Sequence, residues 1–386
     1  MKFPLAWRTF ALSIAAPFVL TRAVLLIACF LALTQLGTMR DRKVWEIGPD
    51  GEVRTVDLSR SPTALSGGRY WIVNVFSRRD GGWYLGIAKH GYHFDPGLQS
   101  NTAFFPLYPA LMWAGSKLLG NRDVTILLVG IVISNVSLLV ALVYLNALVR
   151  IDFDQEVAGR TVLYVLVFPT TVFFSAVYSE SLFFAAIVIA FYYARRGRWW
   201  GAGLAGAIAT LTRPPGFLIF AALALEYLCQ RNFRWREIRS DIAALALIPL
   251  ALTLHFGYLY WRFGNFLLFL DSQKGWGRLG GTPVAGSFPR FAACDVFVAV
   301  LTVVSIAVAW RWLRPSYRLY ATLAFLVPLA EGTLYSMARF CATIFPLYVV
   351  LAMAGTKPAF DRYWLTVSSG LAVLFMALFS QWHYVG

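Results

Sequence analysis

The sequence predicts an all-α polytopic membrane protein, and three observations carry this prediction. Hydrophobic residues make up 59% of the 386 residues and charged residues 14%, which leaves too little polar surface for a soluble protein of this length. Apolar runs of about 20 residues, the length that crosses a bilayer, recur along the chain. Lysine and arginine cluster in short segments between these runs, at 195–198, 231–239 and 311–318, as in cytoplasmic loops of membrane proteins.

The topology of a membrane protein explains the net charge of +15, so this charge does not indicate a nucleic-acid partner. The basic residues lie in short loops between helices, where they orient a membrane protein and contact anionic lipid headgroups. We therefore predict the lipid bilayer as a partner and no nucleic acid.

The chain is predicted to form one integral membrane domain over 1–386. Its parts are a first span at 10–36, an extracytoplasmic loop with interfacial segments at 37–123, and the remaining spans within 124–381. The remaining spans are predicted at 124–149, 160–176, 179–194, 199–212, 215–230, 241–261, 291–310, 318–332, 339–355 and 363–381. The three basic loops share the cytoplasmic side only if the proline-broken segment 102–119 does not cross. The expected count is therefore about eleven transmembrane helices, with an extracytoplasmic C-terminus.

Two local structures are predicted in the first loop. The sequence KVWEIGPDGEVRTVDL alternates around a Pro-Asp-Gly turn, which predicts a small β-hairpin at 43–58. The spacing from 81 to 90 is helical, with Asp80 at the N-cap position. We expect this amphipathic helix to lie on the bilayer surface. The residues aligned on its apolar face are Trp83, Tyr84 and Ile87.

Asp80 is the acid best placed for chemistry. Capping a helix and acting as a general base are compatible roles, because a cap fixes the carboxylate and a base must lie within hydrogen-bond reach of its proton. The preceding Arg78 and Arg79 either hold a phosphate or form a solvated pair at the interface. The nearby sequence HGYHFD, at 90–95, offers fewer ligands than a metal site needs, so no metal is predicted.

Charged and aromatic residues also mark the predicted outer ends of the spans. The charged ones are Glu180, Arg213, Glu331 and Arg339. Ionisable groups at such positions are costly, so they either pair with one another inside the bundle or serve a substrate. Lys274 and Trp276 add a cation and a ring near the membrane plane. The rings of Tyr92 and Phe105 either stack on a sugar or an isoprenoid chain, or belong to an aromatic belt.

Two classes of function remain after a search for common motifs. The sequence has no Walker loop, Gly-x-Ser-x-Gly, HExxH or CxxC, so nucleotide-driven transport, serine hydrolysis and zinc proteolysis have no support. A lipid or sugar transporter that uses Glu180 and Glu331 is the alternative to an enzyme. That alternative explains the charges but not the long first loop rich in glycine and aromatic residues.

Five stretches from residue 77 onward carry a resemblance. They are RRDGGWYLGIAKHGY with AFFPLYP, YSESLFF at 178–184, ATLTRPPGFLIF at 209–220, RFGNFLLFLDSQKGW at 262–276 and ARFCATIFPLY at 338–348. In this order they resemble the PIG-V-type mannosyltransferases, the second mannosyltransferase of GPI-anchor synthesis and its prokaryotic relatives. The family often has tryptophan before its first-loop aspartate, where this chain has Arg79. The hairpin segment 43–58 has no counterpart in the family.

The resemblance implies a GT-C fold with its site on the extracytoplasmic face. The high alanine and arginine content and the compact loops predict a prokaryotic plasma membrane. The reaction that the resemblance implies moves one sugar, mannose in this family, from a polyprenyl-phosphate donor to an acceptor hydroxyl with inversion. The acceptor is expected to be a glycolipid, a polysaccharide or a protein, and no cofactor is expected. The predicted catalytic residue is Asp80, which lies where the family places its first-loop acid. We predict Arg213, Arg339, Lys274, His90 and Arg79 as donor-phosphate ligands. The predicted substrate pocket contains Trp83, Tyr84, Tyr92, Phe105, Glu180, Trp276 and Glu331.

Overall fold

The fold is an α-helical bundle. A computed structural model describes residues 10–36, 43–47, 53–57, 70–278, 292–330, 334, 336–383 and 385. The helices up to the middle of the chain are α1 (Ala16–Gln35, preceded by a π-helical turn at Ala11–Ala15), α2 (Trp71–Phe76), α3 (Asp80–His90), α4 (Leu107–Lys117), α5 (Asp123–Val149), α6 (Gln155–Leu166), α7 (Glu180–Arg195) and α8 (Trp199–Thr212). Those that follow are α9 (Ile219–Gln230), α10 (Leu247–Phe263), α11 (Leu268–Gly275), α12 (Ala292–Trp312), α13 (Pro315–Ala330), α14 (Met337–Cys341), α15 (Phe345–Ala354) and α16 (Pro358–Phe379). Short 3-10 segments lie at Asn101–Ala103, Thr171–Phe174, Pro214–Leu218, Trp235–Glu237 and Ser240–Ala246.

Five helices of the described residues are long and apolar enough to cross a membrane. They are Ala11–Gln35, Asp123–Val149, Ser240–Phe263, Cys294–Trp312 and Pro358–Phe379. The prediction of an integral, multi-pass membrane protein is thereby supported. The other predicted spans correspond to shorter helices, such as the 14 residues of α8, so the count of about eleven stays a prediction.

Two predicted spans are interrupted where proline follows an apolar residue. The predicted span 160–176 is α6 and a separate 3-10 turn, with Pro169 between them. The predicted span 339–355 is α14 and α15, and Pro346 lies in the first turn of α15. Proline lacks the amide hydrogen and disfavours helical geometry in the residue before it, so apolar sequence alone does not continue the helix.

The first loop contains the elements that lead into the site. Two antiparallel strands, β1 (Lys43–Ile47) and β2 (Val53–Asp57), pair with Trp45 opposite Thr55. The predicted turn between them lies outside the described residues, so the hairpin as a whole stays a prediction. Helix α4 has 11 residues, about 16 Å at 1.5 Å per residue, which is about half the hydrocarbon thickness. That 102–119 does not cross stays a prediction.

The N-cap prediction for Asp80 is wrong by one residue. Helix α3 begins at Asp80 itself, and its N-cap is Arg79, whose side chain makes no capping hydrogen bond. The Asp80 carboxylate bonds to a distant arginine and does not cap its own helix.

A cluster of charges lies at the end of the bundle opposite Glu180. The fully buried carboxylate of Glu226 accepts from Ser316 Oγ at 2.6 Å and pairs with Arg314 Nη2 at 3.1 Å. Arg195, the last residue of α7, pairs with Glu226 and with Asp152. The 16 residues of α7 therefore join this basic end to Glu180, about 24 Å away along the helix axis.

Arg22 anchors the interrupted segment after α6 to the first candidate span. Its buried guanidinium donates to Ser175 Oγ at 2.9 Å, to Thr171 Oγ1 at 2.8 Å and to Leu166 O at 3.0 Å. Sequence reasoning did not single out this arginine. The contacts stabilise the non-helical backbone that leads to Glu180.

We expect Arg22→Ala to destabilise the protein by at least about 2 kcal/mol, since each buried acceptor left unpaired costs about 1–3 kcal/mol. The midpoint of thermal unfolding in detergent measures this loss. Arg362→Ala is the control, because that exposed arginine donates to a single carbonyl oxygen at 3.4 Å. Equal midpoints for the two variants would contradict the anchoring role.

Candidate active site

Four charged side chains from four separate elements meet at one end of the bundle. Asp80 is the first residue of α3, and Glu180 is the first residue of α7. Arg213 directly follows α8, and Arg339 lies in the short helix α14. All four belong to the predicted site residues, and the structure brings them into direct contact.

The four groups form a chain of alternating charge. Arg339 Nη1 donates to Asp80 Oδ2 at 2.7 Å, and Arg339 Nε lies 3.2 Å from Glu180 Oε1. The same oxygen of Glu180 is paired with Arg213 Nη1. Side-chain exposure is 19% for Asp80 but 1% for Glu180 and 8% for Arg339. The carboxylate of Asp80 is therefore the acid of this cluster that a ligand reaches.

The backbone before Asp80 is held in an unusual conformation. Arg79 has φ 61° and ψ −110°, a strained geometry for a residue with a side chain. Its guanidinium donates to Trp382 O at 2.7 Å, and that of Arg78 donates to Phe379 O at 3.1 Å. Burial lowers the pKa of Arg78 to about 10. These contacts bind the segment before α3 to the C-terminal end of the chain, and they engage both arginines that were considered as phosphate ligands.

The segment before Glu180 packs on the segment that precedes α3. Val177 donates its amide to Phe76 O at 2.7 Å, and Tyr178 Oη donates to Arg78 O at 3.3 Å. The first residue of a helix is also favourable for an acid, because the helix dipole places partial positive charge there. These contacts place the N-termini of α3 and α7, which begin with Asp80 and Glu180, next to each other.

Arg213 occupies a break imposed by the two prolines that follow it. The residue before a proline is disfavoured in the helical region, and Arg213 is extended, with φ −154° and ψ 150°. The chain then turns back against α8 so closely that a Cβ on Gly216 would lie 2.4 Å from the carbonyl carbon of Ala209. This position therefore requires glycine. The break directs the chain away from the helix axis at the residue that pairs with Glu180.

Three guanidinium groups surround the ring of Phe340. The distances from the ring centroid to Cζ are 5.3 Å for Arg213, 5.3 Å for Arg339 and 5.7 Å for Arg278. Such distances are within the range of cation–π attraction. Arg278, four residues after Lys274, therefore joins the cluster.

Lys274 belongs to a local ion pair of its own. Its Nζ donates to Asp271 Oδ1 at 2.9 Å, and its side chain is 60% exposed. That hydrogen bond lowers the pKa of Asp271. His90 is the last residue of α3 and exposed, about 15 Å along the axis from Asp80 at 1.5 Å per residue. The described contacts place neither residue in the charged cluster.

The predicted aromatic pocket separates into two parts. Tyr84 donates to Ser179 Oγ at 2.8 Å, directly beside Glu180, and burial raises its pKa. Trp83, one helical turn from Asp80, contacts Trp276 with ring centroids 5.3 Å apart. In the second part, Tyr92 donates to Phe104 O at 2.8 Å, and the 2%-exposed Phe105 packs on the His255 ring at 4.7 Å. These two side chains support the loop after α3. Glu331 lies outside the described residues.

Sequence reasoning missed one buried acid near the cluster. Asp295, in α12, accepts a hydrogen bond from the amide of Ala338 at 2.9 Å, next to Arg339. An acid within the apolar run AACDVFVAVL was the available signal.

The fold is that of the GT-C membrane glycosyltransferases. ArnT from Cupriavidus metallidurans, solved bound to undecaprenyl phosphate, matches with a TM-score of 0.50 and 16% identity. The match covers 92% of this chain and 63% of that chain. At this identity the likeness concerns the fold alone.

Residues 68–248 match the family model "Mannosyltransferase (PIG-V)". The chain is 30% identical over 218 residues to the GPI alpha-1,6-mannosyltransferase 2 of Cricetulus griseus, covering 51% of this chain and 42% of that one. It is 31% identical over 240 residues to that of Rattus norvegicus, covering 54% and 47%. These matches span less than half the length of the curated relatives. The predicted relationship is confirmed, and a prokaryotic origin stays a prediction.

Proposed function

We propose that the chain is a membrane glycosyltransferase that moves one mannosyl residue from a polyprenyl-phosphate donor to an acceptor hydroxyl, with inversion. The observation that carries the proposal is the accessible carboxylate of Asp80, bound at 2.7 Å to an arginine of a buried ionic chain. This arrangement places a base and a cation side by side, as a displacement at a phosphate-linked sugar requires. The family match and the GT-C fold point to the same chemistry.

In the proposed reaction, Asp80 accepts the proton of the acceptor hydroxyl while the oxygen of that hydroxyl attacks the anomeric carbon. The bond from that carbon to the phosphate oxygen breaks, and its electron pair leaves with the lipid phosphate. Arg339 and Arg213 stabilise the negative charge that collects on the leaving group. Arg339 joins the base to the buried acid of the cluster, because it contacts both Asp80 and Glu180.

Glu180 holds the two arginines in place. It is 1% exposed and lies beside both guanidinium groups, so we assign it to the electrostatic frame and not to proton transfer. Removing one partner of such a buried pair is strongly destabilising, because it leaves the other charge buried and uncompensated. The contact of Tyr84 with Ser179 supports the same helix N-terminus.

The two ends of the bundle support the proposed side of the membrane. The site lies at the Glu180 end of α7, and the basic loops lie at the Arg195 end. Basic loops favour the cytoplasm, so we propose that the site is extracytoplasmic. A lipid-linked donor, of the kind named for the ArnT structure, would then reach the site within the bilayer. The absence of a metal requirement stays a prediction.

Transfer by the purified protein tests the proposal. Protein reconstituted in vesicles receives polyprenyl-phosphate mannose labelled in the sugar, together with a glycolipid extract as acceptor. We expect free lipid phosphate and a labelled glycolipid that is heavier than the acceptor by one sugar. The competing transporter has no support from the comparisons, and it would move intact donor between leaflets without releasing lipid phosphate. That second result would contradict the proposal.

A further inference from the structure

Asp295 is a buried carboxylate with a defined task outside the proposed reacting groups. It lies in α12, it is 4% exposed, and its Oδ1 accepts the amide of Ala338 at 2.9 Å. A buried charge is costly unless it is hydrogen-bonded, and here the donor is the amide of the second residue of α14. The side chain therefore binds the start of the helix that carries Arg339.

Helix α14 depends on such external contacts. It has five residues, far fewer than the 12–15 or so that an isolated helix needs in water. It follows Ser336, whose φ of 67° is left-handed. Thr170 Oγ1 donates to Ala338 O at 3.2 Å, and Tyr348 Oη donates to Ala342 O at 2.8 Å. Asp295 is the charged member of this set.

We propose that Asp295 is a positioning residue, which holds the backbone of α14 so that Arg339 bridges Asp80 and Glu180. The proposal rests on the proposed function for its kinetic consequence. Arg339 makes its two contacts with separate nitrogens, Nη1 and Nε, so a small movement of its backbone changes both distances. A displacement of about 1 Å in a reacting site can cost about 100-fold in rate.

The test compares Asp295→Ala with Asp295→Asn. Asparagine keeps an oxygen that accepts a backbone amide, and for this reason it caps helices about as well as aspartate. We expect Asp295→Ala to lower kcat about 10- to 100-fold with the KM for donor changed less than about threefold, and Asp295→Asn to recover most of that loss. In an Arg339→Gln background, Asp295→Ala should lower kcat by less than about threefold, since residues acting as a unit are not additive.

The matched control is Asp154→Ala. Asp154 also accepts a backbone amide at a helix start, from Val157 at 2.8 Å, at the end of the bundle away from the site. We expect this variant to lower the unfolding midpoint without lowering kcat. Unchanged kcat in Asp295→Ala, or losses that multiply fully with Arg339→Gln, would overturn the proposal.

A readout without activity separates this proposal from the proposed function. Amide hydrogen exchange over 336–341 should become faster in Asp295→Ala, and it should stay as in wild type in Asp295→Asn and Asp154→Ala. If wild type transfers no sugar, the proposed function fails while this comparison still decides whether Asp295 holds α14. Unchanged exchange in Asp295→Ala would overturn the positioning role.

Discussion

Asp80→Asn is expected to lower sugar transfer about 10³-fold, within the range that a general base contributes. Asparagine has nearly the same shape and still accepts from Arg339 Nη1, which lies 2.7 Å from Oδ2 in wild type. It cannot take the proton of the acceptor hydroxyl, so the loss falls on kcat. Single-turnover transfer from labelled donor measures it directly. Binding of the lipid phosphate should change little, because Arg213 and Arg339 both remain.

The matched control for this variant is Asp123→Asn. Asp123 is also the first residue of a helix, α5, and it forms a single ion pair, with Lys89 at 2.8 Å. We expect transfer by Asp123→Asn to stay close to wild type. Both variants should keep the unfolding midpoint within a few degrees, since each replaces one side chain by its near-isostere. Full transfer by folded Asp80→Asn would remove Asp80 from the role of base.

Apolar runs predicted the bounds of some helices well. The predicted spans 124–149 and 199–212 coincide, within one residue, with Asp123–Val149 and Trp199–Thr212. Hydropathy sums over a window and so does not register a single proline, which is why the breaks at Pro169 and Pro346 were missed. Those breaks matter for function, because one precedes Glu180 and the other follows Arg339.

The residues of the site were predicted one by one, and pairing among the charges was only one of two alternatives. Asp80, Glu180, Arg213 and Arg339 each stood out as a charge at the end of an apolar run, a signal that is local in sequence. Their pairing joins residues 259 positions apart, and such contacts depend on helix packing that periodicity does not describe. Lys274 and His90 were predicted as ligands from the same local signal, and helix packing places both outside the charged cluster.

Arg339 is the second position with a large expected effect. We expect Arg339→Gln to lower transfer about 10²- to 10³-fold, the loss typical of removing one group that stabilises charge in the transition state. Glutamine removes the positive charge that neutralises the leaving phosphate. It also releases Asp80 from its 2.7 Å contact, while Glu180 keeps its pairing with Arg213. The measurement is the same single-turnover transfer.

Two further variants make this prediction specific to the site. Arg160→Gln is the matched control, because Arg160 also pairs with two carboxylates, Glu156 and Asp361, in a partly buried setting. It should reduce stability without a comparable loss of transfer. Arg339→Lys should recover only part of the activity, since a single ammonium cannot reproduce contacts made through Nη1 and Nε of a planar guanidinium. Equal losses in Arg339→Gln and Arg160→Gln, at matched unfolding midpoints, would mean that Arg339 supports the fold and not the leaving group.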